Sequence, residues 1–103
     1  MWGVNPKILC RQHLLGEHLE LHMLVGNIAR GRSINGYITR GLIDPSMIYE
    51  RHKVLVAEML NRGYRHQSPL SLQPQYEKHP LDLDKNLAEL MHRCKECKAR
   101  AKM

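Results

Sequence analysis

The chain has 103 residues, 43% of them hydrophobic and 25% charged, with a formal net charge of +6 and an isoelectric point near 9.5. That length supports one small domain over residues 1–103 and is too short for a doubly wound sheet with both faces covered. No apolar run reaches the roughly 18 residues of a membrane span, and the start, Met1 to Lys7, lacks the apolar region of a signal peptide, so a cytoplasmic protein without membrane contact is expected. A monomer is the separate expectation for its assembly.

In chain order, Asn5-Pro6 opens a first turn. The spacing of Leu14, Leu15, Leu21, Leu24, Val25 and Ile28 then predicts a helix over about 10–28, with Gly16 as its weak point. Residues 29–44 hold Gly31, Gly36 and Gly41 among arginines and read as a long connection with at most short helical turns. Asp44-Pro45 or Pro45-Ser46 opens a second helix, whose buried face is Ile48, His52, Leu55, Val56, Met59 and Leu60, closed by Gly63. Pro69, Pro74 and Pro80 make residues 64–81 irregular. Asp82 caps a third helix with Leu83, Leu87, Leu90, Met91 and Cys94 on one stripe. The expected fold class is therefore all-α: a compact single-layer three-helix domain with long irregular connections.

Three cysteines are an odd number and too few for a disulfide scaffold. Cys94 and Cys97 form one C-x-x-C pair that needs His92 or Cys10 to complete a metal site. Reduced, half-buried thiols are the plainer reading, and no metal or cofactor is expected. Positive charge gathers near the C-terminal end, at Arg93, Lys95, Lys98, Arg100 and Lys102. Charge of this kind serves nucleic acid, an anionic membrane or solubility. Phe is absent and Trp occurs once, which argues against an aromatic platform for single strands.

The first helix carries the chemistry-bearing groups. His13, Glu17 and Glu20 are four and three residues apart and share a face, while His18 and His22 form a separate pair. Two carboxyl groups in reach of one another give one of them the means to shuttle protons near neutral pH. Against this, Glu17 also reads as a structural acceptor for His13 or a nearby arginine, and His18 and His22 as surface or core histidines. The pair lacks the glutamate of H-E-x-x-H. Arg51 is placed to approach a ligand or to pair with Glu50 or Glu58; His66 and Ser68 sit in a loop within reach of phosphate.

Residues 5–26, with Gln12, His13, Leu14, Glu17 and Glu20 in the diagnostic spacing, resemble the first helix of the phage pyrimidine-dimer DNA glycosylases of the T-even endonuclease V type. Arg51 to Tyr64 is similar to that family's second long helix and its Arg-Gly-aromatic ending, and Asn86 to Lys98 more weakly to its C-terminal helix. The resemblance implies a compact helical, metal-independent glycosylase and abasic-site lyase acting on double-stranded DNA with pyrimidine dimers or abasic sites, in a host cytoplasm or nucleoid if phage-encoded. It implies an α-amine nucleophile at the mature start, on Met1 or Trp2, with Glu20 assisting. An α-amine has a reference pKa near 7.7–8.0 against about 10.4 for lysine, so it supplies far more free base near neutrality. Trp2 is bulky enough to block removal of Met1, which favours Met1.

Two family arginines around the glutamate correspond to Leu19 and Met23 here, and the family's aromatic-rich C-terminal stretch has no counterpart in Ala101-Lys102-Met103. Dimer specificity is therefore expected to be weaker or differently built. Arg11, Arg30, Arg32, Arg62, Lys95 and Lys98 are the candidate phosphate contacts, with His13, Glu17, His18, His22, Arg51 and His66 as site-supporting groups. The competing functions are a damage-binding protein with little lyase activity and a small interaction protein whose basic tail meets an acidic partner.

Overall fold

In a computed structural model the chain is described at residues 1–65, 69–70 and 76–102. The first segment runs without regular structure to a 3-10 turn at Pro6–Ile8, where Asn5 Oδ1 accepts from the Lys7 amide at 3.1 Å. Arg62 reaches back to this turn and donates to the carbonyls of Pro6 (3.1 Å) and Leu9 (2.7 Å). The first helix, α1 (Arg11–Ala29), buries Leu14, Glu17, Leu21, Leu24 and Val25, a stripe at spacings of three and four. Gly16 meets no neighbour within 4 Å of a notional Cβ; it borders a cavity rather than admitting a close contact.

The connection that follows contains a short helix, α2 (Asn35–Thr39). Asp44 then caps a 3-10 turn at Pro45–Met47, accepting from the Ser46 amide at 3.1 Å and the Ser46 hydroxyl at 2.7 Å. It leads directly into α3 (Ile48–Asn61). The buried face of α3 is Ile48, Arg51, His52, Leu55, Glu58 and Met59, so Leu60, expected inside, is 56% exposed. Two charged residues take up the stripe because each is paired internally, which rotates Leu60 outward.

Asp82 Oδ1 accepts from the Lys85 amide at 3.0 Å and starts α4 (Leu83–Arg93). Of its expected stripe, Leu90 is fully buried, whereas Leu83 and Leu87 remain largely exposed. The first half of α4 lies over the Trp2–Gly3 backbone, through Asn86 Nδ2 to the Trp2 carbonyl (2.9 Å), and one narrow run of chain cannot cover both leucines. The third expected helix then breaks at Cys94 (φ −128°, ψ 106°), whose sulfur accepts from the Cys97 amide at 3.4 Å and caps a separate helix, α5 (Lys95–Ala101).

The three expected helices are thus present, with α2 and α5 added, and the described residues contain no strand. Leu9, Leu14, Leu21, Leu24, Ile43, Ile48, Leu55, Leu90 and Cys97 form the fully buried centre. No described helix is long and apolar enough to cross a membrane.

Candidate active site

The Met1–Asn5 segment is laid across α1 and α3 by a buried ion pair. Arg51, on α3, donates to Glu17 on α1 through Nε (2.5 Å) and Nη2 (3.0 Å), and through Nη1 to the Val4 carbonyl (2.7 Å). Arg51 and Glu17 are each less than a tenth exposed. A planar guanidinium suits this arrangement because its fork grips a carboxylate with two donors and leaves a third for the carbonyl. Glu17 therefore accepts from an arginine, and His13 turns elsewhere.

With Val4 fixed, the chain start reaches the other carboxylate of the α1 face. The Met1 amino nitrogen donates to Glu20 Oε1 and, at 2.9 Å, to the Leu42 carbonyl in the connection after α2. Both groups border a cavity of about 500 Å³ that also meets Trp2, His13, Tyr37 and Arg93. That volume lies within the usual range for small-molecule sites. Arg93 sits over the Trp2 ring, 5.7 Å from its centroid, and pairs with Glu89 at 2.6 Å. An amine and a carboxylate held together at the edge of such a cavity can attack an electrophilic carbon and take up the proton released.

The structure thus gathers Met1, Trp2, His13, Glu17 and Glu20 in one place. His18 and His22 lie on another face of α1 and form a triad with buried His52, with ring centroids 4.7, 4.9 and 5.1 Å apart. Arg51 and Arg62 are turned inward, Arg62 onto Glu58 at 2.6 Å and the Pro6–Ile8 turn. Arg11 lies under the Tyr64 ring. Arg30, Arg32, Lys95 and Lys98 are exposed, as are Leu19 (70%) and Met23 (40%). His66 and Ser68 fall outside the described residues.

Among the described residues, two groups have the donor sets to hold a metal ion: the His18–His22–His52 triad, and Cys10, His13, Cys94 and Cys97. In the second, burial pushes the Cys97 thiol up to about 12, while the Cys97 backbone amide, donating to the Cys94 sulfur, draws the Cys94 thiol below its ordinary value.

Sequence reasoning missed the Leu42 carbonyl, which carries no side-chain signal. It also missed Arg93 at the cavity and His13 as the neighbour of the thiols. A family model described as pyrimidine dimer DNA glycosylase matches residues 1–72. No curated protein and no solved structure matches the chain. The matched stretch contains α1, α3 and the Met1–Glu20 contact; α4, α5 and the C-x-x-C pair lie beyond it.

Proposed function

The chain belongs to the pyrimidine dimer DNA glycosylase family, and from that premise we propose that it cleaves damaged double-stranded DNA as a combined glycosylase and abasic-site lyase, with the Met1 α-amine as nucleophile and Glu20 as its proton partner. The contact between the Met1 nitrogen and Glu20 Oε1 carries this reading.

In the neutral amine the nitrogen lone pair attacks C1′ of the damaged nucleotide. The C1′–N bond to the base breaks, the base leaves with that electron pair, and the amine proton passes to Glu20. Glu20 gives that proton to O4′ as the C1′–O4′ bond breaks and the sugar ring opens, which leaves an iminium ion between Met1 and C1′; the departed base takes its proton from solvent. Its positive charge acidifies C2′–H; Glu20, again a carboxylate, removes that proton, and the C3′–O bond breaks with the 3′-phosphate as leaving group. Glu20 also balances the cationic charge that develops on nitrogen. The reaction uses groups already in contact, so the fold supplies the entropy of bringing nucleophile and base together.

Access to C1′ requires the duplex to be bent or the nucleotide turned out, which a damaged or missing base makes cheaper. Trp2 and Tyr37 at the cavity are proposed to stack against the opened site. Exposed Arg11, Arg30, Arg32, Lys95 and Lys98 are proposed as phosphate contacts, in preference to Arg51 and Arg62, which are engaged internally. Trapping tests the reading directly. The untagged protein is incubated with an abasic-site duplex, reduced with borohydride and digested for mass spectrometry. The adduct is expected on the Met1 nitrogen, and Glu20→Gln is expected to lose incision while keeping duplex binding. An adduct on Lys7 would reassign the nucleophile, and duplex binding with no adduct would leave a damage-binding protein without lyase chemistry.

A further inference from the structure

We propose that Cys10, His13, Cys94 and Cys97 bind one zinc ion as a structural three-thiolate, one-imidazole site. The four donor atoms lie within 4.8 Å of one another. Tetrahedral zinc, with Zn–S about 2.3 Å and Zn–N about 2.0 Å, sets S···S edges of about 3.8 Å and S···N edges of about 3.6 Å. The Cys10 and Cys94 sulfurs are 3.8 Å apart, and His13 Nδ1 is 3.6 Å from the Cys97 sulfur and 3.2 Å from the Cys10 sulfur. These three separations fit such a shell, and the Cys10–Cys94 distance is far from the roughly 2.05 Å of a disulfide. All three cysteines are free.

Two sulfurs also accept backbone hydrogen bonds: the Cys10 amide donates to the Cys97 sulfur at 3.2 Å and the Cys97 amide to the Cys94 sulfur at 3.4 Å. Burial keeps the proton on the Cys97 thiol in the metal-free chain, and the charge of a bound cation is what removes it. Cys94 caps α5 and Cys97 lies in its first turn, which accounts for the break between α4 and α5: a continuous helix would carry the two sulfurs on its own surface, whereas the break turns both toward Cys10 and His13. On binding, each thiol releases its proton to solvent, and the resulting three-thiolate complex carries one net negative charge.

The site joins Cys10 to Cys94 and Cys97, 84 and 87 positions away, and clips α5 to the start of α1. A chain this short has a limited core, and closing so long a loop is where a metal clip adds most. His13 borders the same cavity as Met1 and Glu20, so the clip also braces one wall of the candidate active site. No step of the proposed cleavage passes through the metal, and the two readings stand or fall separately.

The test uses the full chain expressed without a polyhistidine tag in zinc-supplemented medium. Elemental analysis is expected to give one zinc per chain, and a mercurial that titrates three thiols is expected to release it. Replacement by cobalt is expected to produce strong thiolate-to-cobalt charge-transfer bands and the intense visible bands of tetrahedral cobalt. Cys94→Ser, at the half-buried ligand, is expected to lose most of the bound zinc. Should that variant fail to fold, the cobalt spectrum of the unaltered chain decides. A folded protein with no bound metal and three freely titrating thiols would overturn the site. So would bound cobalt without thiolate charge transfer, which would move the metal to the histidine triad, or a disulfide between any two of the three cysteines in protein prepared under reducing conditions.

Discussion

Arg51 holds Glu17 and the Val4 carbonyl with one guanidinium, so the residue that neutralises a buried carboxylate on α1 also fixes the backbone three residues from the amine that meets Glu20. Replacing it with methionine leaves Glu17 buried without its partner and frees Val4. Losing one member of a buried pair costs about 3–5 kcal/mol, a large share of the stability of a small domain. Arg51→Met is therefore expected to lower the denaturation midpoint strongly. A double variant, Arg51→Met with Glu17→Leu, is expected to recover much of that stability but not trapping, because the Val4 clamp stays absent. Chemical denaturation and borohydride trapping, measured on both variants, separate these effects. Full trapping by the double variant would show that Val4 needs no clamp.

A hydrogen bond with Arg11 holds the Tyr64 phenol below its ordinary value of 10.0, against an opposing push from desolvation and with a further hydrogen bond from Arg62. The folded state thus sheds this proton at a lower pH than the unfolded chain. Between the two values the unfolded chain binds more protons, so this group's contribution to stability rises with pH through that window and is lost as pH falls through the folded value. Phenolate absorbance is expected to show one tyrosine titrating early, and Arg11→Met is expected to move its midpoint upward. A midpoint indifferent to that substitution would exclude the Arg11 contact as the cause.

How far the fold can be read from the sequence depends on the reach of each interaction. The long helices are written in local periodicity and caps: Asp82, Asp44 and Gly63 stop or start helices where their chemistry requires. The break at Cys94 has no such mark, since cysteine neither favours nor forbids a helix, and it is set by contacts with Cys10 and Cys97. Glu17 is legible as an arginine's acceptor, but the arginine is 34 residues away and Glu50 and Glu58 lie nearer to it in sequence. Periodicity likewise places Leu60 in the core because it counts apolar residues and has no means of counting charged ones that neutralise each other. At the candidate active site, spacing on α1 puts Glu20 on one face with His13 and Glu17, and only the family resemblance singles it out from them. The Leu42 carbonyl that completes the amine's surroundings is backbone, and any residue type would have supplied it.

Gly3 sets the last turn of the path to Glu20. Its φ is +74°, where a residue with a Cβ is strained, and a Cβ there would stand 2.8 Å from Leu83 Cδ2 and 2.9 Å from Leu81 Cδ1. Those two methyl groups end flexible side chains and can swing aside; the dihedral cannot be relieved without moving Trp2 and Met1. The strain is on the order of 1–2 kcal/mol, but displacing a reacting group by about 1 Å can cost about 100-fold in rate. Gly3→Ala is therefore expected to slow trapping on abasic DNA much more than it lowers the melting temperature. Adding Leu83→Ala removes the nearer clash and leaves the dihedral as it was, so trapping is expected to recover only in part. Complete recovery in the double variant would show that crowding by α4, and not the backbone conformation at Gly3, governs where the amine sits.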